Sequence, residues 1–115
     1  MHFMKNYREP SVEEMRVKNY ESRVNYIYEG YEEIIYEYLN DLACRLFIEE
    51  SIAQGNENIL PLKPRIDKAD ERLKAILRKT NTCIYGNYPE SYFWFWGIPQ
   101  NSTELMNEAK LSNWI

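Results

Sequence analysis

Carboxylates are the side chains of this sequence whose type and spacing could support chemistry. Glu29, Glu33 and Glu37 follow one another at intervals of four, so a helix would place them in one row. Such a row could supply a general acid and a general base, or oxygen ligands for a hard cation. It is also the pattern of an ordinary solvated helix face. We expect that role here, and we predict no catalytic residue, no metal site and no cofactor.

Nucleophilic and phosphate-binding chemistry find little support in the sequence. His2 is the only histidine among 115 residues, which excludes a histidine cluster for zinc or iron and leaves no well-placed base for a triad. Cys44 and Cys83 stand apart and are predicted to be reduced, buried thiols. The four glycines stand singly, so no glycine-rich phosphate loop is present. We therefore expect that the protein is not an enzyme.

Charge is distributed unevenly along the chain, whose formal net charge is −4. Residues 29–50 contain seven acids and one base, which gives −6, whereas residues 63–79 contain seven bases and three acids, which gives +4. Asp41 extends the carboxylate row by one step, and each like-charged pair in the row costs an isolated helix about 0.2–0.5 kcal/mol. Two explanations are open. Either the basic segment packs beside the acidic one and neutralises it, or the row is a docking face for a basic partner.

Residues 92–96 read YFWFW, five aromatic side chains in succession. A segment that is apolar on every side is usually buried, so packing in the core is the first interpretation. The alternative is a patch that faces a partner, because tyrosine and tryptophan are enriched among residues that dominate binding energy. On that interpretation one or two of Tyr92, Trp94 and Trp96 are exposed. Tyr36, close to the carboxylate row, is a further predicted anchor.

The first half of the chain predicts two long helices. A capping box at Ser11 opens a stripe of apolar residues with steps of three and four that continues to about residue 53. Its first members are Tyr20, Val24, Ile27, Tyr31, Ile34 and Tyr38. One helix of that length would measure about 65 Å, longer than a compact domain of this size, and Gly30 is the natural break. We predict helices over 11–29 and 31–53. A continuous rod is the alternative, and it would imply a dimer or a long exposed face.

Two shorter helices are predicted in the second half. The first covers 66–79, where Asp67 is a candidate cap near the start. The second covers 101–111 and begins from Asn101 or Ser102.

The aromatic segment between these helices allows two structures. A short helix over 89–96 is favoured by a proline at its first position and by the sequence GIP after its end. A hairpin between TCIY and SYFWFW is favoured by the aromatic residue types. The predicted fold class is therefore mainly α. We expect one domain over 1–115, a compact bundle of four to five helices, either alone or with a small β-hairpin near residues 82–96.

In size, acidity, tyrosine content and lack of catalytic residues the chain resembles bacterial immunity proteins, which neutralise nuclease-type toxins. This is a resemblance of overall character, and no motif carries it. It implies an inhibitor that occludes the cationic active site of a toxin, with the carboxylate row steering the approach and Tyr36 and a tryptophan as anchors. The alternative is a structural or regulatory helical module that forms a homodimer through the first two helices.

Composition also indicates where the protein acts and what it does not bind. The sequence shows no apolar signal region and no apolar run of membrane-spanning length, so we expect the protein in the cytoplasm. The negative net charge disfavours general binding to nucleic acid or to anionic membranes.

Overall fold

The computed structural model describes residues 9–115, so His2 lies outside the described residues. The elements in chain order are α1 (Val12–Glu29), α2 (Ile35–Ala53), α3 (Lys63–Ile76), β1 (Leu77–Lys79), β2 (Gly97–Pro99) and α4 (Thr103–Leu111). The predicted fold class is confirmed, since within residues 9–115 four α-helices form a compact bundle with one small antiparallel sheet. Within residues 9–115 no helix has the length and apolar content needed to cross a membrane.

Gly30 separates the first two helices, as predicted. α1 begins at its Ser11 cap, whose Oγ accepts a hydrogen bond from the Glu14 N–H at 3.1 Å. It ends at Gly30, whose φ of 126° is one that other residues rarely adopt. α2 starts later than predicted, at Ile35, because the intervening residues are not helical. Within this linker Tyr31 inserts its ring into the core.

The core is one contiguous cluster to which every helix contributes. α1 lies at its centre, because it packs against both α2 and α3. The predicted apolar stripe is confirmed at Tyr20, Val24, Ile27 and Tyr38, all of which are buried. It is wrong at Ile34, which is 51% exposed, because the chain has left the helical path there.

α3 begins at Lys63, earlier than predicted. Pro64 lies in its first turn. A backbone N–H at that position would have no acceptor within the helix, so its absence costs no hydrogen bond. Asp67 is not the cap, since it lies inside the helix and accepts a hydrogen bond from Lys63 Nζ at 2.7 Å. Residues 77–79, predicted as the end of this helix, form strand β1 instead, and the strand begins at Leu77 directly after α3.

Residues 89–96 form neither the predicted helix nor the alternative hairpin. Only Phe93–Phe95 make a single 3₁₀ turn, and the strands pair outside the predicted range of the hairpin, with Leu77 opposite Pro99 and Lys79 opposite Gly97. The aromatic loop over 80–96 is therefore closed at its base by the sheet. The tight turn inside it directs successive rings to the core, which neither a regular helix nor a regular strand would do.

α4 begins as predicted from Ser102, whose Oγ accepts a hydrogen bond from the Leu105 N–H at 3.1 Å. The neighbouring Asn101 amide group donates to the backbone carbonyls of Ile27 at 2.9 Å and Tyr28 at 3.2 Å. These carbonyls belong to the last turn of α1, where helical N–H donors run out; the Ile27 carbonyl also accepts from the Gly30 N–H at 3.3 Å. α4 packs against β2 and so joins the sheet to the end of α1.

Candidate protein-binding surface

The four predicted acids of the carboxylate row do not lie in one helical row. Glu29 is in the last turn of α1, and Glu33 is in the linker between the helices. Only Glu37 and Asp41 share a helix, one turn apart on α2. The prediction of a continuous row is wrong because the chain is not helical from Gly30 until α2 begins.

Two of these acids form hydrogen bonds within the protein. Glu33 Oε1 accepts a hydrogen bond from the Tyr26 hydroxyl at 2.7 Å, which raises the pKa of Tyr26. Asp41 accepts a hydrogen bond from the Tyr31 hydroxyl and lies 3.4 Å from the guanidinium group of Arg23. Burial, followed by the contact with Asp41, raises the pKa of Tyr31. Glu33 and Asp41 therefore hold the tyrosines of the α1–α2 connection in place.

Three other acids around this connection point to solvent. The carboxylates of Glu29, Glu32 and Glu37, which we call the acidic turn, are exposed and form no ion pair with another described residue. Glu29 lies at the C-terminal end of α1, where the helix dipole disfavours negative charge and no base occurs in the last turn. The negative charge of the acidic turn is therefore not compensated within the described protein.

The basic third helix does not neutralise α2. It packs against α1, and Arg65 forms a two-pronged contact with Glu21 of α1 at 2.5 and 3.1 Å. Two of the lysines of α3 pair within their own helix. Among the described residues, the ion pair that joins α2 to α3 takes its base from α2 and its acid from α3, namely Arg45 and Asp70. This is the reverse of what neutralisation of an acidic α2 by a basic α3 requires. The packing thus does not support internal neutralisation.

Arg45 is the centre of a buried polar network. Its Nε and Nη2 lie 2.9 and 3.0 Å from the two carboxylate oxygens of Asp70, and Nη1 lies 3.2 Å from Glu49 Oε2. Its guanidinium carbon lies 4.3 Å from the centre of the Trp94 ring. Asp70 also accepts a hydrogen bond from the Tyr20 hydroxyl at 2.5 Å, and burial, followed by the charge of Asp70, raises the pKa of Tyr20. This network joins three helices and the aromatic loop.

The YFWFW segment belongs mainly to the core. Trp94 and Phe95 are 1% and 0% exposed, so the predicted partner-facing role of Trp94 is corrected: its ring is covered by Arg45. Tyr92 and Trp96 are partly buried against the core. The ring of Tyr92 stacks on that of Tyr88 at 5.1 Å, and Trp96 Nε1 donates to the Tyr88 carbonyl at 3.0 Å. Tyr92 and Trp96 therefore keep part of their surface exposed, on the aromatic loop.

Tyr36 is the most exposed of the predicted anchors. Its side chain is 77% exposed on the outward side of α2. It borders a groove of about 330 Å³ lined by Tyr36, Glu37, Leu39, Asn40, Ala43 and Tyr85, which we call the α2 groove. Two predicted residues, Tyr36 and Glu37, thus meet a ring that the sequence did not indicate, that of Tyr85.

The aromatic loop holds Tyr85 in position. The Ile84 N–H donates to the Phe95 carbonyl at 2.8 Å, and Gly86 turns the chain with a φ of 65°. The Tyr85 ring lies parallel to that of Tyr88 at 6.5 Å and is 5.2 Å from that of Phe95. A loop position has no periodicity, so the only local signal for Tyr85 was the tyrosine–glycine step in CIYGNY.

The remaining candidates for chemistry lie apart from this surface. Cys44 is buried, and burial raises the pKa of its thiol to about 12, which disfavours the reactive thiolate. Cys83 is only half-buried, contrary to the prediction, because it lies in the aromatic loop. No cluster of residues in the 9–115 range could hold a metal ion. No protein-family model matches the chain, and no curated protein or solved structure matches it either.

Proposed function

We propose that this protein is a non-catalytic inhibitor that binds a basic protein through the acidic turn and the α2 groove. In this proposal the partner is a nuclease-type toxin, and the protein acts in the cytoplasm as its immunity protein. Nucleases bind a polyanion, so their active sites and substrate grooves are lined with cations. A preformed acidic surface with exposed rings would cover such a groove and block access of the substrate.

One observation carries the proposal: the carboxylates of the acidic turn have no ionic partner among the described residues, and one of them, Glu37, lines a groove that contains two tyrosine rings. Uncompensated charge of one sign speeds the approach of an oppositely charged partner. Tyrosine then supplies contact area at low cost in side-chain entropy. The acidic turn therefore serves the approach of the partner, and the α2 groove serves the contact that follows. Glu37 belongs to both.

A homodimer through the first two helices is less well supported. Exposed apolar side chains that a second copy could cover are Ile34, at the cap of α2, and Phe47, within α2, which are 51% and 46% exposed. A twofold interface, however, places the same surface on both subunits. The acidic turn would then face its own copy, and juxtaposed like charges cost several kcal/mol.

The proposal predicts that reversal of charge in the acidic turn weakens binding to the partner. Wild-type protein and the Glu29→Lys/Glu37→Lys variant are used as bait in an extract of the native host. We expect wild-type protein to retain a basic nuclease and to inhibit it at equimolar ratio. For the isolated pair, the double variant should lower the association rate constant by about 10-fold or more at low salt, with little difference at high salt.

The matched control is Glu57→Lys/Glu104→Lys, which changes the net charge equally at two exposed acids outside the acidic turn. It should leave capture and association nearly unchanged. Equal effects of the two double variants, or a captured protein that is neither basic nor inhibited, would contradict the proposal. Concentration-dependent melting of the protein alone would favour the homodimer instead.

A further inference from the structure

The α2 groove combines features that select one kind of cation. Its lining includes two phenol rings, those of Tyr36 and Tyr85, and the apolar side chains of Leu39 and Ala43. Its polar groups are the Glu37 carboxylate and the Asn40 amide. A volume of about 330 Å³ is near the lower end of the range for small-ligand pockets, about 300–1,000 Å³. The groove therefore fits a side chain better than a cofactor.

Its polar groups are available for a ligand. Glu37 and Asn40 make no side-chain hydrogen bond and no ion pair with any residue in the described range, and both are exposed. They lie one turn apart on α2, so both can reach a group held above the helix. Glu37 is also in the first turn of α2, where the helix dipole stabilises its negative charge.

One of the two rings is held by packing within the aromatic loop, although Tyr85 is 47% exposed. Tyr85 lies parallel to Tyr88, with an interplanar angle of 6°, and is also packed against Phe95, which is fully buried. Tyr36, in contrast, is 77% exposed and free to adjust its side-chain torsions. A ring held by its neighbours and a second ring that can adjust both offer a face on which a flat group can stack.

We propose that the α2 groove binds an arginine side chain of the basic partner. The planar guanidinium group stacks on the tyrosine rings, donates to the Glu37 carboxylate and to the Asn40 side-chain oxygen, and lays its aliphatic stem on Leu39 and Ala43. Lysine fits less well, because its compact ammonium group is strongly hydrated and does not stack. This inference rests on the proposed function, since it identifies the group by which the basic partner is anchored.

A pair of peptides that differ only in the cation tests the inference. The probes are acetyl-Gly-Arg-Gly-Arg-Gly-amide and its counterpart with lysine at both arginine positions, titrated at low salt into ¹⁵N-labelled protein. We expect the arginine peptide to shift the backbone resonances of Tyr36, Asn40 and Tyr85. It should bind about two- to fivefold more tightly than the lysine peptide, the size of effect of an exposed cation–π contact.

Two variants separate the groove from the general attraction of the acidic turn. Tyr36→Ala should remove the preference for arginine while both peptides still bind, because the ring is exposed and the charge is unchanged. Glu32→Gln should weaken both peptides equally and keep the preference, because Glu32 belongs to the acidic turn but does not line the groove. Glu37→Gln should weaken the arginine peptide more than the lysine peptide.

The outcomes are distinct for the two proposals. Equal affinity for both peptides, or shifts confined to residues outside the groove, overturns the arginine site and leaves the acidic turn as a docking surface. No binding of either peptide at millimolar concentration also overturns the arginine site. The proposed function fails separately, when charge reversal at Glu29 and Glu37 leaves the captured partner unaffected.

Discussion

Arg45 illustrates at the scale of single residues how a buried charge can join several elements. It is 5% exposed, and its guanidinium group is paired with Asp70 in a two-pronged contact below the ring of Trp94. A buried charge is tolerated only where partners replace its lost hydration. Asp70 and Tyr20 are therefore as necessary to the network as Arg45 itself.

Replacement of Arg45 by methionine leaves the buried Asp70 carboxylate without an ionic partner, with the Tyr20 hydroxyl still donating to it. We expect the Arg45→Met substitution to lower the free energy of unfolding by about 3–5 kcal/mol. The matched control is Arg65→Met, because the Arg65–Glu21 pair is largely exposed and should contribute about 1 kcal/mol or less. Urea denaturation of both variants measures the difference. Similar losses for the two substitutions would show that the buried network adds no stability beyond a surface pair.

The sequence identified some residues of the candidate surface and missed others for a clear reason. Tyr36 and Glu37 follow from charge spacing and helix periodicity, which are local properties. The burial of Trp94 depends on Arg45, which is distant in the sequence. Tyr85 reaches the groove because its loop is bonded to Phe95. No periodicity of the sequence encodes either contact.

At the scale of the elements, Gly30 determines where the first helix ends and how the chain turns toward the second. Its φ of 126° ends α1 and allows the chain to turn, so that Tyr31 enters the core while Glu32 remains in solvent. A Cβ atom at this position would meet nothing within 4 Å, so the requirement for glycine is conformational and not steric. The break in the helix thereby separates Glu29 from Glu37 and forms the acidic turn.

A residue with a Cβ atom at position 30 should strain this turn. We expect the Gly30→Ala substitution to lower the free energy of unfolding by about 1–3 kcal/mol, because an L-residue rarely adopts its backbone conformation. Glu29→Ala, at the adjacent helical position, serves as the control and should change stability by about 0.5 kcal/mol or less. Thermal or chemical denaturation is the measurement. If Gly30→Ala were as stable as the control, the turn would not require a positive φ.

The elements themselves were predictable to different degrees. The helices follow from periodicity and from caps such as Ser11 and Ser102, whose predicted hydrogen bonds are present. α3 starts three residues before the predicted position, because the first turn of a helix accommodates Pro64. The pairing of β1 with β2 depends on closure of the loop over 80–96, which local pattern does not specify.

At the scale of the whole molecule, tyrosine hydroxyl groups are distributed between core and surface. Tyr20, Tyr31 and Tyr38 are almost fully buried, and burial is the main cause that raises the pKa of each hydroxyl above its ordinary value of 10.0. The unfolded chain therefore releases these protons at lower pH than the folded protein does. The stability associated with these groups is complete below pH 10 and is lost as the pH rises above it.

We therefore expect the free energy of unfolding to decrease progressively above pH 10. Urea denaturation at a series of alkaline pH values measures the decrease, and the absorbance of tyrosinate shows whether ionisation accompanies unfolding. The control variant is Tyr38→Phe, which removes one buried hydroxyl and its hydrogen bond to the Gly97 carbonyl at 3.2 Å. Its stability should be lower below pH 10 but should depend less steeply on pH above it. A wild-type stability that is unchanged above pH 10 would contradict this account.

The sequence by itself determined the helical class, the break at Gly30 and the excess of negative charge between residues 29 and 50. These properties depend on periodicity, backbone preference and composition, which act over a few neighbouring residues. The tertiary structure decided which acids are used internally, which rings are buried and that Tyr85 completes the α2 groove. Those outcomes depend on the packing of distant segments around a shared core, where each side chain competes for a limited volume and for hydrogen-bond partners.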